Sequence, residues 1–215
     1  KPSQPDANHN LGILLASLNK HTEALSLFKT ATQNKTIVEQ YWISYINFLI
    51  EQKNFIEAEL ACKKALEFHP KSPLIYLKFG SILYILNRPD DASVKFKKAI
   101  ELQPEFAEAH FNLGILFYKF GKFNEAITSY KKSIKLKPDY ADAHNNLGNT
   151  LIELNKFDAA EKCYKKTIEL KPDYAEAYNN LGNTLYKMDR FIEAEINYKR
   201  TLKLKPNDAD TYNNL

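Results

Sequence analysis

An asparagine side chain donates through its amide nitrogen and accepts through its oxygen, so a row of asparagines can hold a peptide backbone without reading side chains. This chain carries such rows. Asn145, Asn146 and Asn149 fall within about one helical turn, and the trio returns as Asn179, Asn180 and Asn183, with single members at Asn112 and Asn214. Residues one turn apart lie on one side of a helix, so each trio can present its amides together. Acids accompany them, Glu108, Asp142, Glu176 and Asp210 each standing four residues ahead of an asparagine. Asparagine is less favourable than alanine inside a helix by about a few tenths of a kcal/mol or more, so its repetition points to a compensating role. The competing reading makes the asparagines polar filler copied with their surroundings, and the acids a complement to the positive ends of helix N-termini.

Earlier segments place apolar residues on the equivalent side: Ile43, Ile50, Leu74, Leu77, Tyr84, Phe111, Ile115 and Tyr118. Exposed, they would mark a partner site; the alternative is burial against neighbouring helices. Other chemistries are weakly encoded. His110 and His144 have no third ligand at metal spacing, so no metal and no cofactor are expected. There is no phosphate loop, no local nucleophile and base, and no catalytic carboxylate cluster, so catalysis within this segment is not expected. Cys62 and Cys163 are too far apart in sequence and pattern for a bridge and read as small apolar residues.

The elements that position these residues recur at a fixed step. Gly12, Gly80, Gly114, Gly148 and Gly182 lie on a 34-residue grid, as do Ala24, Ala58, Ala92, Ala126, Ala160 and Ala194, and Pro70, Pro104, Pro138, Pro172 and Pro206. Each unit reads as two helices and a turn. In residues 107–140, His110, Leu113 and Phe117 share one helical face, Ala126, Tyr130 and Ser133 share another, Gly121 to Phe123 makes the turn, and Pro138 closes the unit. The repeats run 5–38, 39–72, 73–106, 107–140, 141–174 and 175–208, with a partial seventh at 209–215. Thr36 replaces the closing proline of the first, Trp42 fills an aromatic position of the second, and Pro89 suits the first turn of a helix. Ile46 stands where other repeats have glycine, which predicts helices pushed apart or a smaller neighbour. The chain stops inside a helix with no polar cap, so it is expected to be a fragment of a longer protein.

Leu147, Gly148, Ala160, Tyr164, Thr167 and Pro172, recurring at this period, resemble the tetratricopeptide repeat. The resemblance implies an all-α, right-handed α-α superhelix in one solenoid domain, with first helices lining a concave groove and second helices forming the convex back. Both residue rows would then lie in the groove: the asparagines and acids as a polar section that grips an extended peptide, the apolar residues as a partner section before it. Helices pack ~8 to 10 Å apart and an extended peptide advances ~3.3 Å per residue, so each rung meets about every third residue. The asparagine and acid rows are similar to those of the O-linked N-acetylglucosamine transferase superhelix, which holds extended protein substrates. The match covers Asn112, Asn146, Asn180 and Asn214 with Glu108, Asp142, Glu176 and Asp210, and it breaks at Gln40, Ser44, Leu74 and Lys78. The family's clamp for acidic chaperone tails requires a lysine that is absent here, so such a tail is a poor ligand. The implied function is a protein-interaction scaffold; the alternative is the substrate-recruiting arm of a larger glycosyl- or sulfotransferase.

The formal net charge of +4 is mild. Lys63-Lys64, Lys97-Lys98, Lys131-Lys132, Lys165-Lys166 and Lys199-Arg200 recur on second helices and read as a solvated outer ridge, which argues against nucleic acid. No apolar run is long enough for a membrane span. The N-terminus shows no basic-then-apolar signal, which favours the cytoplasm, although a chain beginning at Lys1 leaves a removed segment open. Abundant Lys, Asn and Ile suggest an AT-rich, bacterial genome. Oligomeric state is not encoded in the pattern.

Overall fold

The structure is a computed structural model that describes residues 4–33 and 38–214. The described residues form thirteen α-helices and no strand, and the chain divides into two compact units, Lys1–Pro104 and Glu105–Leu215. The first unit holds α1 (Pro5–Ser17), α2 (His21–Gln33), α3 (Glu39–Glu51), α4 (Phe55–Phe68), α5 (Pro73–Ile85) and α6 (Pro89–Leu102). The second holds α7 (Ala107–Lys119), α8 (Phe123–Leu136), α9 (Ala141–Glu153), α10 (Phe157–Leu170), α11 (Ala175–Lys187), α12 (Phe191–Leu204) and α13 (Ala209–Asn214). Within each unit, consecutive helices pack on one another, and odd-numbered helices also touch, α1 on α3 and α3 on α5, α7 on α9 and α9 on α11. The expectation attached to Thr36 lies outside the described residues.

Odd helices turn into even ones through a residue of positive φ: Asn19 (59°), Lys53 (55°), Asn87 (57°), Gly121 (69°), Asn155 (54°) and Asp189 (58°). Left-handed backbone brings Cβ against a carbonyl, which glycine avoids and Asn or Asp tolerates through local hydrogen bonding. Lysine has neither advantage, so the α3–α4 turn holds the least suited residue. Helix starts are set by chemistry already visible in the sequence. Pro5, Pro73 and Pro89 are each the first residue of a helix, where a missing N–H costs nothing. Ser72 and Asn54 cap α5 and α4 by accepting from the backbone amides of Ile75 and Glu57.

The helices of a repeat meet where glycine faces an aromatic ring. A Cβ added to Gly148 would lie 2.6 Å from the Tyr164 ring, and one added to Gly182 would lie 2.6 Å from Tyr198; Gly114 with Tyr130 (2.7 Å) and Gly80 with Phe96 (2.5 Å) repeat the contact. These rings are almost wholly buried, and the alanines of the 34-residue grid beside them are completely buried. Around them the second unit builds one core from Tyr130, Leu147, Leu151, Tyr164, Leu181, Leu185 and Tyr198. In the second repeat, Ile46 takes the glycine position and Cys62 the aromatic one, both completely buried. Both anticipated responses occur: the facing residue is small, and α3 and α4 pack less closely than the two helices within each other full repeat.

Two ion clusters tie successive even-numbered helices. Arg88, ahead of α6, reaches Glu59 of α4 at 3.0 Å, while Lys63 lies 2.7 Å from the same carboxylate and Asp91 holds the guanidinium at 2.7 Å. Arg190, Glu161, Lys165 and Glu193 repeat the arrangement in the second unit at 2.6 to 2.7 Å. Glu59 and Glu161 are each only 8% exposed. Hydrogen bonds from Lys63 and Arg88 hold the Glu59 carboxyl below its ordinary range in spite of burial. At Glu161, burial pushes the pKa up but is outweighed by Lys165 and Arg190, so the net shift is downward.

Candidate functional site

The second unit contains a cavity of about 570 Å³ lined by Asn149, Asn180, Asn183, Asn213, Asn214, Glu153, Glu176, Lys187, Ile152, Thr184 and the tyrosines 118, 164, 186 and 198. Its asparagines are held in a repeating pattern. Asn149 Oδ1 accepts from Tyr164 Oη at 2.8 Å and from Asn180 Nδ2 at 3.0 Å. One repeat later, Asn183 Oδ1 accepts from Tyr198 Oη at 2.8 Å and from Asn214 Nδ2 at 3.1 Å. Both acceptor positions of each oxygen are therefore filled, while the Nδ2 groups of Asn149 and Asn183 make no hydrogen bond among the described residues. Each carboxamide is fixed by its oxygen and offers its two N–H donors.

The tyrosines that fix them are locked in turn. Tyr164 is buried against Gly148 and Tyr198 against Gly182. Burial raises the pKa of both hydroxyls, with Cys163 among the smaller contributors at Tyr164 and Tyr186 at Tyr198. They stay protonated, as donors, across ordinary pH. Sequence reasoning missed this use of the tyrosines, which read only as packing residues; the signal was the coincidence, confined to the fifth and sixth repeats, of asparagine and tyrosine at the two facing positions.

Not every asparagine reaches the surface. Asn145 is completely buried, donating to Glu176 Oε1 at 3.0 Å and accepting from Asn180 Nδ2 at 3.4 Å. This corrects the expectation that all three members of its trio face a ligand: Asn145 is an internal brace, and a buried amide needs such partners. Asn179 is half-buried and accepts from Thr211 at 3.1 Å. Asn146 joins Ile115, Tyr118, Tyr130 and Asn149 around a second cavity of about 220 Å³. Asn112 is half-buried and lines neither cavity. Of the acids, Glu176 reaches the large cavity; Glu108 pairs with Lys137 at 3.3 Å and Asp142 accepts from Tyr174 at 2.9 Å. The side chain of Asp210 lies outside the described residues.

The apolar row is more sheltered than its sequence pattern suggested. Ile43 is 8% exposed and belongs to the core of the first unit, so it is no contact surface; Ile50, Leu74, Leu77 and Tyr84 are half-buried. In the second unit Phe111 packs against Tyr130 and Tyr140, with ring centroids 5.9 and 4.7 Å apart. Tyr118 is partly open and lines both cavities there. Among the described residues no group of three His, Cys, Asp or Glu could hold a metal ion, and no helix is long and apolar enough to cross a membrane. His144 Nε2 instead lies 3.0 Å from the Pro138 carbonyl. Cys62 is pushed up to about 12 and Cys163 to about 11, both mainly by burial, so neither is a reactive thiolate at neutral pH.

The chain matches the TPR repeat family over residues 80–121, 116–153 and 148–189, and the tetratricopeptide repeat family over residues 175–208. The chain is a tetratricopeptide-repeat protein. No curated protein matches it significantly, but many solved structures do. The crystal structure of MamA is 28% identical, with 77% of this chain and 96% of that one covered and a TM-score of 0.68. The Cut9 and Hcn1 hetero-tetramer of the APC/C is 19% identical, covers all of this chain with 42% of its own, and has a TM-score of 0.83. YrrB, described as a TPR protein with an unusual peptide-binding site, is 19% identical over 86% of this chain and 96% of its own, with a TM-score of 0.69. The tetratricopeptide fold of helix pairs thus accounts for both units.

Proposed function

We propose that this tetratricopeptide protein is a protein-interaction scaffold whose second unit holds an extended protein segment in the cavity between α7 and α13. The observation that carries the reading is the pair of carboxamides at Asn149 and Asn183, fixed through their oxygens with their N–H donors left for a ligand. Backbone carbonyls of an extended segment are the acceptors that suit them, because carbonyls recur at every residue whatever the side chain. Membership of a repeat family and likeness in fold to YrrB, itself described by a peptide-binding site, support the same reading. The role proposed for the chain is binding, with no chemical step assigned to it.

A selection from a random-peptide display library tests this. Wild-type protein retains peptides, and Asn149→Ala with Asn183→Ala weakens the retained peptides by ~1 to 3 kcal/mol while the helical circular dichroism stays unchanged. Equal retention by the folded double variant would remove the two asparagines from the binding site.

A further inference from the structure

Two carboxylates line the same cavity. Glu153 accepts from Tyr118 Oη at 3.3 Å, and Glu176 accepts from Asn145 Nδ2 at 3.0 Å. Neither has an ion-pair partner among the described residues, whereas Glu108, Glu161, Glu169, Glu193 and Glu195 of the same unit each have one. The one cation of the lining, Lys187, extends its Nζ over the Phe157 ring at 6.0 Å. Aromatic surface stands beside the acids, with Tyr118 36% and Tyr186 56% exposed. A carboxylate with an open oxygen beside an exposed ring is a setting for an ammonium or guanidinium group, which gains charge-assisted hydrogen bonds on one side and a ring face on the other. The amide donors of Asn149 and Asn183 cannot serve a cation, so the cavity separates two tasks: donors for backbone carbonyls, acids for a basic side chain.

Resting on the peptide reading above, we propose that the cavity selects extended segments carrying a lysine or arginine whose charged end docks on Glu153 and Glu176. The preference comes from charge complementarity in a cleft where both carboxylates are exposed, so it weakens as salt is added.

The test sequences the peptides that the wild-type protein retains from a random display library, then compares synthetic copies by fluorescence anisotropy. Retained peptides are expected to be enriched in Lys and Arg over the starting library. Replacing the basic residue with norleucine or citrulline should lower affinity about tenfold on the wild type and by much less on Glu153→Gln with Glu176→Gln. The glutamines preserve shape, and circular dichroism verifies the fold. Neutral or acidic retained peptides, or equal binding of the norleucine copy, would overturn the charge preference while leaving the peptide reading intact. Retention of no peptide at all would overturn both.

Discussion

Helices α3 and α4 and helices α9 and α10 follow one 34-residue plan but pack by opposite means. In α9 and α10, Gly148 makes room for the Tyr164 ring; in α3 and α4, Ile46 fills the glycine position and Cys62 the ring position. Both arrangements bury their residues completely or nearly so, so either satisfies the core. They differ in what they leave on the first helix. Tyr164 ends in a hydroxyl that reaches Asn149 at 2.8 Å, whereas Asn47, at the same repeat position as Asn149, faces a thiol position and makes no side-chain hydrogen bond among the described residues. A packing residue thereby decides whether an asparagine is aimed or merely half-buried.

The largest expected effect attacks that packing. Gly148→Ile drives a branched side chain into the Tyr164 ring and should destabilise the second unit by about 3 kcal/mol in urea unfolding; adding Tyr164→Cys, the pairing found in α3 and α4, should recover most of the loss. A single variant as stable as wild type would break the comparison. Removing only the hydroxyls is gentler. Tyr164→Phe with Tyr198→Phe should leave the fold in place and weaken peptide binding by ~1 to 2 kcal/mol, because the two carboxamides lose the donors that fix them. Asn47→Ala, measured with the same peptide, should change nothing.

The turns give a smaller, signed difference between the α3–α4 repeat and the α7–α8 repeat. Lys53→Gly relieves a lysine at φ 55° and should stabilise by about 1 kcal/mol, whereas Gly121→Ala, at φ 69°, should lose a similar amount by thermal unfolding. The ion clusters should differ least, since each unit has one. Glu59 and Glu161 have folded pKa values below their unfolded ones. Their contribution is therefore present above the ordinary carboxylate range and is lost as pH falls through the lowered folded values. Urea midpoints of wild type should drop on acidification more than those of Glu59→Gln with Glu161→Gln, and parallel curves would remove the clusters from the account.

Much of this was readable in the chain. The 34-residue grid announced helix pairs, and small residues at its glycine and alanine positions announced where they touch. Ile46 even announced its own compensation. Three features were harder to read because they depend on which copies become neighbours. Tyr164 and Asn149 lie on different helices of one repeat, and Asn180 reaches Asn149 across a repeat boundary. Arg88 and Arg190 find Glu59 and Glu161 on the preceding even helix, though the same pattern of two acids, a lysine and an arginine three repeats apart was a usable sign. Asn145 misled because its type is polar, while its counterparts Ile43 and Phe111 showed that the position faces inward; Asn145 is tolerated there because Glu176 and Asn180 satisfy it. In the apolar row the same inward position takes Ile43 into the core, while the other members are half-buried or partly open.

The most direct test of the central claim follows the asparagine side-chain amides by ¹⁵N nuclear magnetic resonance while a peptide retained from the display library is added. The Nδ2 signals of Asn149 and Asn183 should shift with the binding curve, and those of buried Asn145 and of Asn47 in the first unit should move far less. Peptide binding that leaves the Asn149 and Asn183 amides unmoved would contradict the claim that these tyrosine-held asparagines grip the ligand.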